Sequence, residues 1–381
     1  MKKKVLVLYA SYGSGHKSIA NYIANYIKNE NKDIEIATLD ILTYSMKVVG
    51  SISQKINSFF MLKTPVIHNF FYNLTSTKVG GDVVDSISIP MFLNKRMEKA
   101  LAKFNPDLIV ATHFFGPSIA KYYNDKGIIN SKIITVVTDY DVIELWMKFH
   151  EDVKYFIVAN KYMKKDLIKR GVNKNKIKEF GIPISPLVPT NFNRKEYLKK
   201  YNLTGKNKIC IFFGGGGNGS SKTIPYIKKV AKSNPKLDII FVAGKNERSK
   251  EAIDNYIESN NVNNVRTIGF ATNVPDLLEL SDFVISKPGG IQLTECLYFK
   301  KPVLMIRHSG GQEIANYKYF EKEGFGKFFK TRWGLNNYVK TILDNDKIIK
   351  KYIDNMIKKS NNNDSIQQVY DLIKSILIND K

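Results

Sequence analysis

Ser286-Lys287-Pro288-Gly289-Gly290-Ile291-Gln292-Leu293-Thr294-Glu295 follows the short apolar run Phe283-Val284-Ile285. Together they read as a buried strand, a turn forced by Pro288, Gly289 and Gly290, and a helix over Leu293 to Tyr298. Such a junction leaves backbone N–H groups unpaired at a helix N-terminus, where an anion is stabilised. Glu295 falls in the first turns of that helix, and its two oxygens can accept from the hydroxyls of a ribose diol. The next apolar run, Pro302-Val303-Leu304-Met305-Ile306, reads as a second strand. Its exit loop, Gly310-Gly311-Gln312-Glu313-Ile314-Ala315-Asn316, delivers Gln312, Glu313 and Asn316, side chains suited to sugar hydroxyls. One such loop would be an ordinary polar rim. Two at successive strand ends point to a nucleotide-sugar site.

The same plan opens two other parts of the chain. Lys208 to Phe213 is a strand, Gly214-Gly215-Gly216-Gly217-Asn218-Gly219 a glycine loop, and Ser220 to Val230 a helix. Lys4 to Ala10 is likewise a strand, followed by the turn Ser11 to Ser18 and a helix over Ile19 to Lys28. In that helix Ile19, Tyr22, Ile23, Tyr26 and Ile27 recur at helical spacing. Openings about two hundred residues apart argue for two α/β domains of Rossmann-like build. A length of 381 residues also exceeds what one core usually serves. Neither glycine turn carries a full dinucleotide fingerprint. The expected division is 1–185, 186–360 and a terminal helix in 361–381. Gly181-Ile182-Pro183-Ile184-Ser185-Pro186 with Pro189 serves as linker. The last helix, with Ile366, Val369, Tyr370, Ile373, Ile376 and Leu377 on one face, can pack on either domain.

Between the openings, Asp107 to His113, Lys132 to Asp139 and Lys154 to Ala159 read as strands. Ligands of open α/β sheets lie outside the carboxyl ends of the strands. His16, Thr112, His113, Thr138 and Asp139 are therefore expected to line one crevice of the first domain. His113 suits either a crevice-lining or a structural role, and His150 and His308 are given none. Asp139-Tyr140-Asp141 spells a DxD triplet, but it ends a strand away from the expected phosphates, so no metal is assigned. Two cysteines, Cys210 and Cys296, lie within a predicted strand and helix and read as small core residues of a reducing compartment.

The formal net charge is +24. An anionic membrane surface, nucleic acid or a solvated lysine-rich surface could answer it. Nucleic acid is the weakest of these, because the cations are spread along the chain and no recognition signature accompanies them. A few Lys or Arg beside an anionic leaflet contribute about 1 kcal/mol each. No stretch offers the ~18 uninterrupted apolar residues of a spanning helix. Met1 to Ala10 reads as a first strand rather than a signal peptide, so a cytosolic protein is expected. From Met46 to Leu74, Val48, Val49, Ile52, Ile56, Phe59 and Phe60, then Val66, Ile67, Phe70, Phe71 and Leu74, keep helical period around Pro65. Such a helix pair suits either core packing or membrane contact.

These motifs, in this order, resemble glycosyltransferase family 28, and within it the monogalactosyl- and glucosyl-diacylglycerol synthases. The resemblance rests on Gly13-Ser14-Gly15-His16-Lys17-Ser18 with Ala20, Thr138-Asp139-Tyr140 with Trp146, and Gly181-Ile182-Pro183. It continues through Ser286 to Gly290 with Thr294-Glu295, and Gly311-Gln312-Glu313 with Asn316. It implies a GT-B fold, two Rossmann-like domains facing across a cleft, and an inverting, possibly repeated, transfer of a hexose from a UDP-sugar to diacylglycerol. The donor is expected to be UDP-glucose, with UDP-galactose as the alternative, a substrate and not a cofactor, and the product a β-linked glycolipid. His16 matches the family's general base, with Asp139 orienting it or stabilising its imidazolium. Gly215, Gly216, Asn218, Gly289 and Gly290 would hold the diphosphate. Glu295 matches the ribose carboxylate, and Gln312 and Glu313 the sugar-binding pair, with Asn316 beside them. Phe59, Phe60, Phe70, Phe71 and Trp146 would serve the acceptor and membrane, on the inner face of the cell membrane. The chain departs from the pattern at Ile143, often histidine, and at Gly310, often proline. The same residues leave other readings in view: a polyprenyl-linked acceptor, a sugar-nucleotide epimerase or hydrolase, or a non-catalytic basic protein that binds membrane or nucleic acid.

Overall fold

The computed structural model describes residues 2–11, 15–45, 77–184, 192–307, 310–359 and 364–378. The first unit contains strands β1 (Lys3–Tyr9), β2 (Ile34–Asp40), β3 (Leu108–Ala111), β4 (Lys132–Val136), β5 (Val153–Ile157) and β6 (Ile177–Lys178). The second contains β7 (Lys208–Phe213), β8 (Leu237–Val242), β9 (Val265–Ile268), β10 (Phe283–Ser286), β11 (Val303–Ile306) and β12 (Gly326–Phe329). Every pairing is parallel. Parallel strands are covered by helices on both faces, which is why β7 reads Lys-Ile-Cys-Ile-Phe-Phe and β8 is buried along its whole length.

The two sheets share a class but differ in strand order. The first runs β2-β1-β3-β4-β5-β6 and the second β12-β11-β10-β7-β8-β9. In each, the order reverses beside the unit's own first strand, β1 against β3 and β7 against β10. That reversal opens a crevice at the carboxyl ends of those strands. In the second unit it lies where the glycine turns after β7 and β10 emerge, and in the first where the helix Gly15–Glu30 begins. The expectation of two units of similar build thus holds for the switch point and fails for the strand order beyond it.

By contacts the first unit comprises Met1–Pro186, Asn363–Lys381 and the short stretch Ser309–Gln312, and the second Leu187–His308 and Glu313–Asn362. The last helix, Ser365–Ile378, belongs to the first unit. It packs on the helix Gly15–Glu30, where Tyr26 hydrogen-bonds Gln367 and its ring meets Tyr370 at 5.8 Å. Ser365 Oγ donates to the Ile182 carbonyl at 3.1 Å, tying the chain's end to the residues that precede the linker.

Several elements extend or escape the sequence reading. The helix after β10 starts at Gly290, three residues before Leu293, because Gly289 itself is the N-cap. The helix after the Gly214 loop starts at Ile224 behind a 3₁₀ turn at Ser221–Thr223, with Pro225 in its first turn. The strands β2, β6 and β12 and the helices Lys78–Phe92 and Lys95–Phe104 went unread. Phe59, Phe60, Phe70 and Phe71, with the rest of Met46 to Leu74, lie outside the described residues. Among the described residues no helix is long and apolar enough to cross a membrane.

Candidate functional site

In the first unit the register Leu8↔Ala111 sets the end of β1 beside the end of β3, and the Thr112 N–H closes the ladder on the Leu8 carbonyl at 2.9 Å. Ser11, just past β1, is held by Asp40 at the end of β2 through its N–H at 3.2 Å and through its hydroxyl. The helix Gly15–Glu30 then begins, and His16 in its first turn turns back over β3. Its Nδ1 lies 2.6 Å from the Thr112 carbonyl oxygen and 3.0 Å from Thr138 Oγ1. A carbonyl only accepts, so Nδ1 carries the proton and Nε2 is the bare nitrogen. Thr112 Oγ1 returns a bond to the His16 carbonyl at 3.2 Å.

His113 stands edge-on to His16, ring centroids 4.7 Å apart, and its Nδ1 accepts from the Phe115 N–H at 3.3 Å. Both imidazoles are buried. Burial pushes His16 down to about 4, against the opposing pull of the Thr112 carbonyl. Burial, and then the neighbouring His16, hold His113 well below the ordinary histidine value. Both are therefore neutral at pH 7. The orienting contacts on Nδ1 come from Thr112 and Thr138, while Asp139, half-buried, is the next residue along. Trp146, expected at the acceptor or membrane surface, is 3% exposed and packs edge-on against Phe114 at 5.9 Å. It is part of the first unit's hydrophobic core.

In the second unit the strand ends of β10, β7, β8 and β9 form a row of close approaches, to the Lys287 side chain at one end and to backbone carbonyls beyond it. A methyl on Gly216 would meet Lys287 Cε at 3.4 Å, one on Gly244 the Gly216 carbonyl at 2.7 Å, and one on Gly269 the Gly244 carbonyl at 3.9 Å. Gly219 is the tightest point. Its φ is +68°, and a Cβ there would lie 2.1 Å from the Ala243 carbonyl oxygen, so only glycine fits. Lys245 N–H donates to the Gly217 carbonyl at 2.9 Å, which pins the Asn218 loop to the end of β8. The row thus brings the two expected phosphate loops, 214–219 and 287–290, side by side. At its far end Phe270 is 56% exposed, with Lys245 Nζ 5.4 Å from its ring centre.

Leu293 makes the first intrahelical bond, to the Gly289 carbonyl at 3.0 Å, so the N–H groups of Gly290, Ile291 and Gln292 precede it. Beside them Lys287 Nζ pairs with Glu313 Oε1 at 2.7 Å. Glu295 is buried, with Gln292 Nε2 3.5 Å from Oε2. Asn316 is 0% exposed and donates to the Pro288 carbonyl at 3.1 Å. It braces the turn from within. Gln312 opens the helix Gln312–Glu323, one residue before Glu313. The sequence reading assigned no role to Lys287. A lysine set directly before Pro288-Gly289 was the available signal, and its Glu313 partner lies 26 residues away. A cation and three helix-terminal N–H groups on one glycine floor suit an anion of the size of a diphosphate. Among the described residues no three His, Cys, Asp or Glu side chains gather as a metal site.

Residues 16–184 match the model of the monogalactosyldiacylglycerol (MGDG) synthase family, and residues 210–375 that of the glycosyltransferase family 28 C-terminal domain. A similar protein from Bacillus pumilus (strain SAFR-032), named processive diacylglycerol beta-glucosyltransferase, is 26% identical over 93% of this chain and 90% of its own length. One of the same name from Staphylococcus aureus (strain bovine RF122 / ET3-1) is 29% identical over 86% of this chain and 82% of its own. Among solved structures, UDP-GlcNAc 2-epimerase from Neisseria meningitidis bound to UDP-GlcNAc superposes with a TM-score of 0.62 at 13% identity, covering 99% of this chain and 100% of that one. Acinetobacter baumannii MurG gives 0.60 at 12% identity, covering 98% and 99%. Anabaena Alr3699/HepE in complex with UDP-glucose gives 0.57 at 13% identity, covering 99% of each. These likenesses show the fold, the GT-B class expected from the sequence. An epimerase and transferases share it, so the fold does not choose between them. The family models are more specific: the chain carries a monogalactosyldiacylglycerol synthase domain over residues 16–184 and a glycosyltransferase family 28 C-terminal domain over residues 210–375.

Proposed function

We propose that the chain is an inverting glycosyltransferase that moves a hexose, glucose, from a UDP-sugar to the free hydroxyl of diacylglycerol. The observation that carries this is His16: a dry, neutral imidazole whose Nδ1 is committed to a backbone carbonyl, leaving Nε2 as acceptor. As the acceptor oxygen bonds to the sugar C1, its proton passes to Nε2 and the C1–O bond to UDP breaks. A base held near 4 is weak. It does not pre-ionise a hydroxyl and works in concert with bond formation. The imidazolium that forms is stabilised by the Thr112 carbonyl and, in this reading, by the Asp139 carboxylate.

The leaving diphosphate takes its hydrogen bonds from Gly290, Ile291 and Gln292 and its counter-charge from Lys287. Glu295 holds the ribose, and Gln312 and Glu313 the hexose. Phe270 offers an exposed ring for the nucleobase at the end of the glycine row. Attack opposite an α-linked UDP gives a β-glycoside, whose new hydroxyls can serve as the next acceptor. The reading assigns no cofactor and no metal. It places the protein on the cytoplasmic face of an anionic membrane, with its +24 charge answered by lipid and not by nucleic acid.

The test is turnover of the purified chain with radiolabelled UDP-glucose and UDP-galactose on vesicles containing diacylglycerol. Labelled lipid from UDP-glucose is expected. Free sugar, epimerised nucleotide or label only in a polyprenyl-linked acceptor would overturn the reading.

A further inference from the structure

In the second unit the pair Lys287 and Glu313 joins the turn 287–290 to the start of the helix Gln312–Glu323. Lys287 follows the end of β10 and Glu313 lies in the first turn of the helix after β11, and these strands are neighbours in the register Ser286↔Met305. Lys287 Nζ lies 2.7 Å from Glu313 Oε1. The backbone on either side is fixed. Three residues after Glu313 and one turn along the helix, Asn316 donates to the carbonyl of Pro288, the residue next to Lys287, at 3.1 Å. The lysine stem runs over the glycine floor, its Cε 3.4 Å from where a Cβ on Gly216 would stand. The two side chains differ in exposure: that of Glu313 is 10% exposed and that of Lys287 33%. A carboxylate this far out of water needs a cation or hydroxyl donors on its oxygens. The lysine has the freer end, an ammonium with three N–H donors on a four-carbon stem.

We infer that Glu313 has a second role: it competes with the diphosphate for Lys287, and the hexose decides the outcome. The inference rests on the proposed reading of this site as one for a UDP-hexose. One ammonium then faces two anions, the Glu313 carboxylate and the diphosphate on the N–H groups of Gly290, Ile291 and Gln292. Hexose hydroxyls donate to Glu313 and satisfy it, so that Lys287 turns to the diphosphate. Once the hexose has passed to the acceptor, Glu313 loses those donors and draws Lys287 back. UDP is then left on the helix-terminal N–H groups without its counter-charge. The arrangement answers a difficulty of any transferase that stabilises its leaving group with a full charge. The charge that lowers the barrier also holds the product, and product release often limits turnover. A carboxylate within reach of that cation resolves the conflict when it has another partner before transfer and lacks it afterwards. By linkage, hexose and diphosphate each favour the binding of the other.

The test is calorimetric titration of UDP and of UDP-glucose into the full chain, its Glu313→Gln and Lys287→Ala variants and the double variant. Glutamine keeps the shape of the side chain and removes its charge. Glu313→Gln is expected to bind UDP about three- to tenfold more tightly than the wild type, the opposite direction to that of a lost ligand contact. Its affinity for UDP-glucose should fall or stay level, because the hexose loses a charged acceptor. In the Lys287→Ala background the same substitution should leave UDP affinity unchanged. Product inhibition by UDP should strengthen in Glu313→Gln by the same factor as its binding. Should the new amide hold Lys287 in place of the carboxylate, Glu313→Ala removes the contact outright and is expected to tighten UDP to the same extent. UDP affinity equal to or weaker than that of the wild type in both variants would overturn the inference and leave Glu313 as a brace and a hexose ligand. So would tightening that persists without Lys287. Either result leaves the proposed function standing where glucose still reaches diacylglycerol. The expected binding pattern with no glucose transferred to diacylglycerol would keep the inference and overturn the proposed acceptor, and no binding of UDP to the wild type would overturn both.

Discussion

The two units build their switch points from opposite materials. After β1, β3 and β4 the first unit sets buried imidazoles and threonine hydroxyls, without a formal charge among His16, His113, Thr112 and Thr138 at pH 7. After β7 and β10 the second sets glycine backbone, N–H groups and a lysine held by a glutamate. Desolvation is useful to a group that must be neutral before it takes a proton, and harmful to one that must attract an anion. One scaffold can serve both needs because the parallel sheet fixes only where the loops emerge.

The comparison is broken most severely at His16. His16→Ala is expected to lower kcat about 10²–10⁴-fold, the usual worth of a positioned base, while the Kd for UDP stays as in the wild type. Transfer at the wild-type rate would remove His16 from the chemistry. Lys287→Ala addresses the other unit. Losing a charge-assisted contact of about 1.5–3 kcal/mol is expected to raise the KM for UDP-glucose about 10–100-fold with kcat less affected. An unchanged KM would mean that Lys287 serves only Glu313.

Gly289→Ala sharpens the comparison more gently. Its φ is −75° and nothing lies within 4 Å of an added Cβ, so the melting temperature should not move. The methyl would stand on the open side of the turn, where the diphosphate is expected, and donor affinity should fall several-fold. Equal affinity would place the anion elsewhere.

A further effect is on pH. His16 is held at about 4 when folded and titrates near 6.5 when unfolded. The unfolded chain therefore binds the proton first. His16's contribution is fully present above pH 6.5 and declines as pH falls from 6.5 toward 4, by about 3 kcal/mol at most. Acid unfolding followed by circular dichroism should show a shallower decline in His16→Gln. In the wild type the acid limb of kcat/KM should lie below pH 5, and a limb at 6.5 would mean an ordinary, solvated histidine.

Much of the second unit was legible because its signals are local. Ser286 to Glu295 contains its own strand, turn and helix, and the glycines of 214–219 stand next to the strand they follow. What escaped depends on distance or on backbone. The Thr112 carbonyl that sets the tautomer of His16 has no side-chain signature, and the Lys287–Glu313 pair spans two elements. The helix Lys78–Phe92 hid behind Gly80, Gly81 and Pro90, residues of low helix propensity. Two of them, Gly80 and Gly81, are buried where the helix meets its neighbours. Asn316 and Trp146 were chosen for residue type at the right place in a motif, and the structure buries both.

The division between a proton-handling and an anion-holding unit is tested most directly by calorimetric titration of UDP into wild type, His16→Ala and Lys287→Ala. The account expects equal affinity for the first two and about 10–100-fold weaker binding for the third. Weakening by His16→Ala as large as that by Lys287→Ala would contradict it.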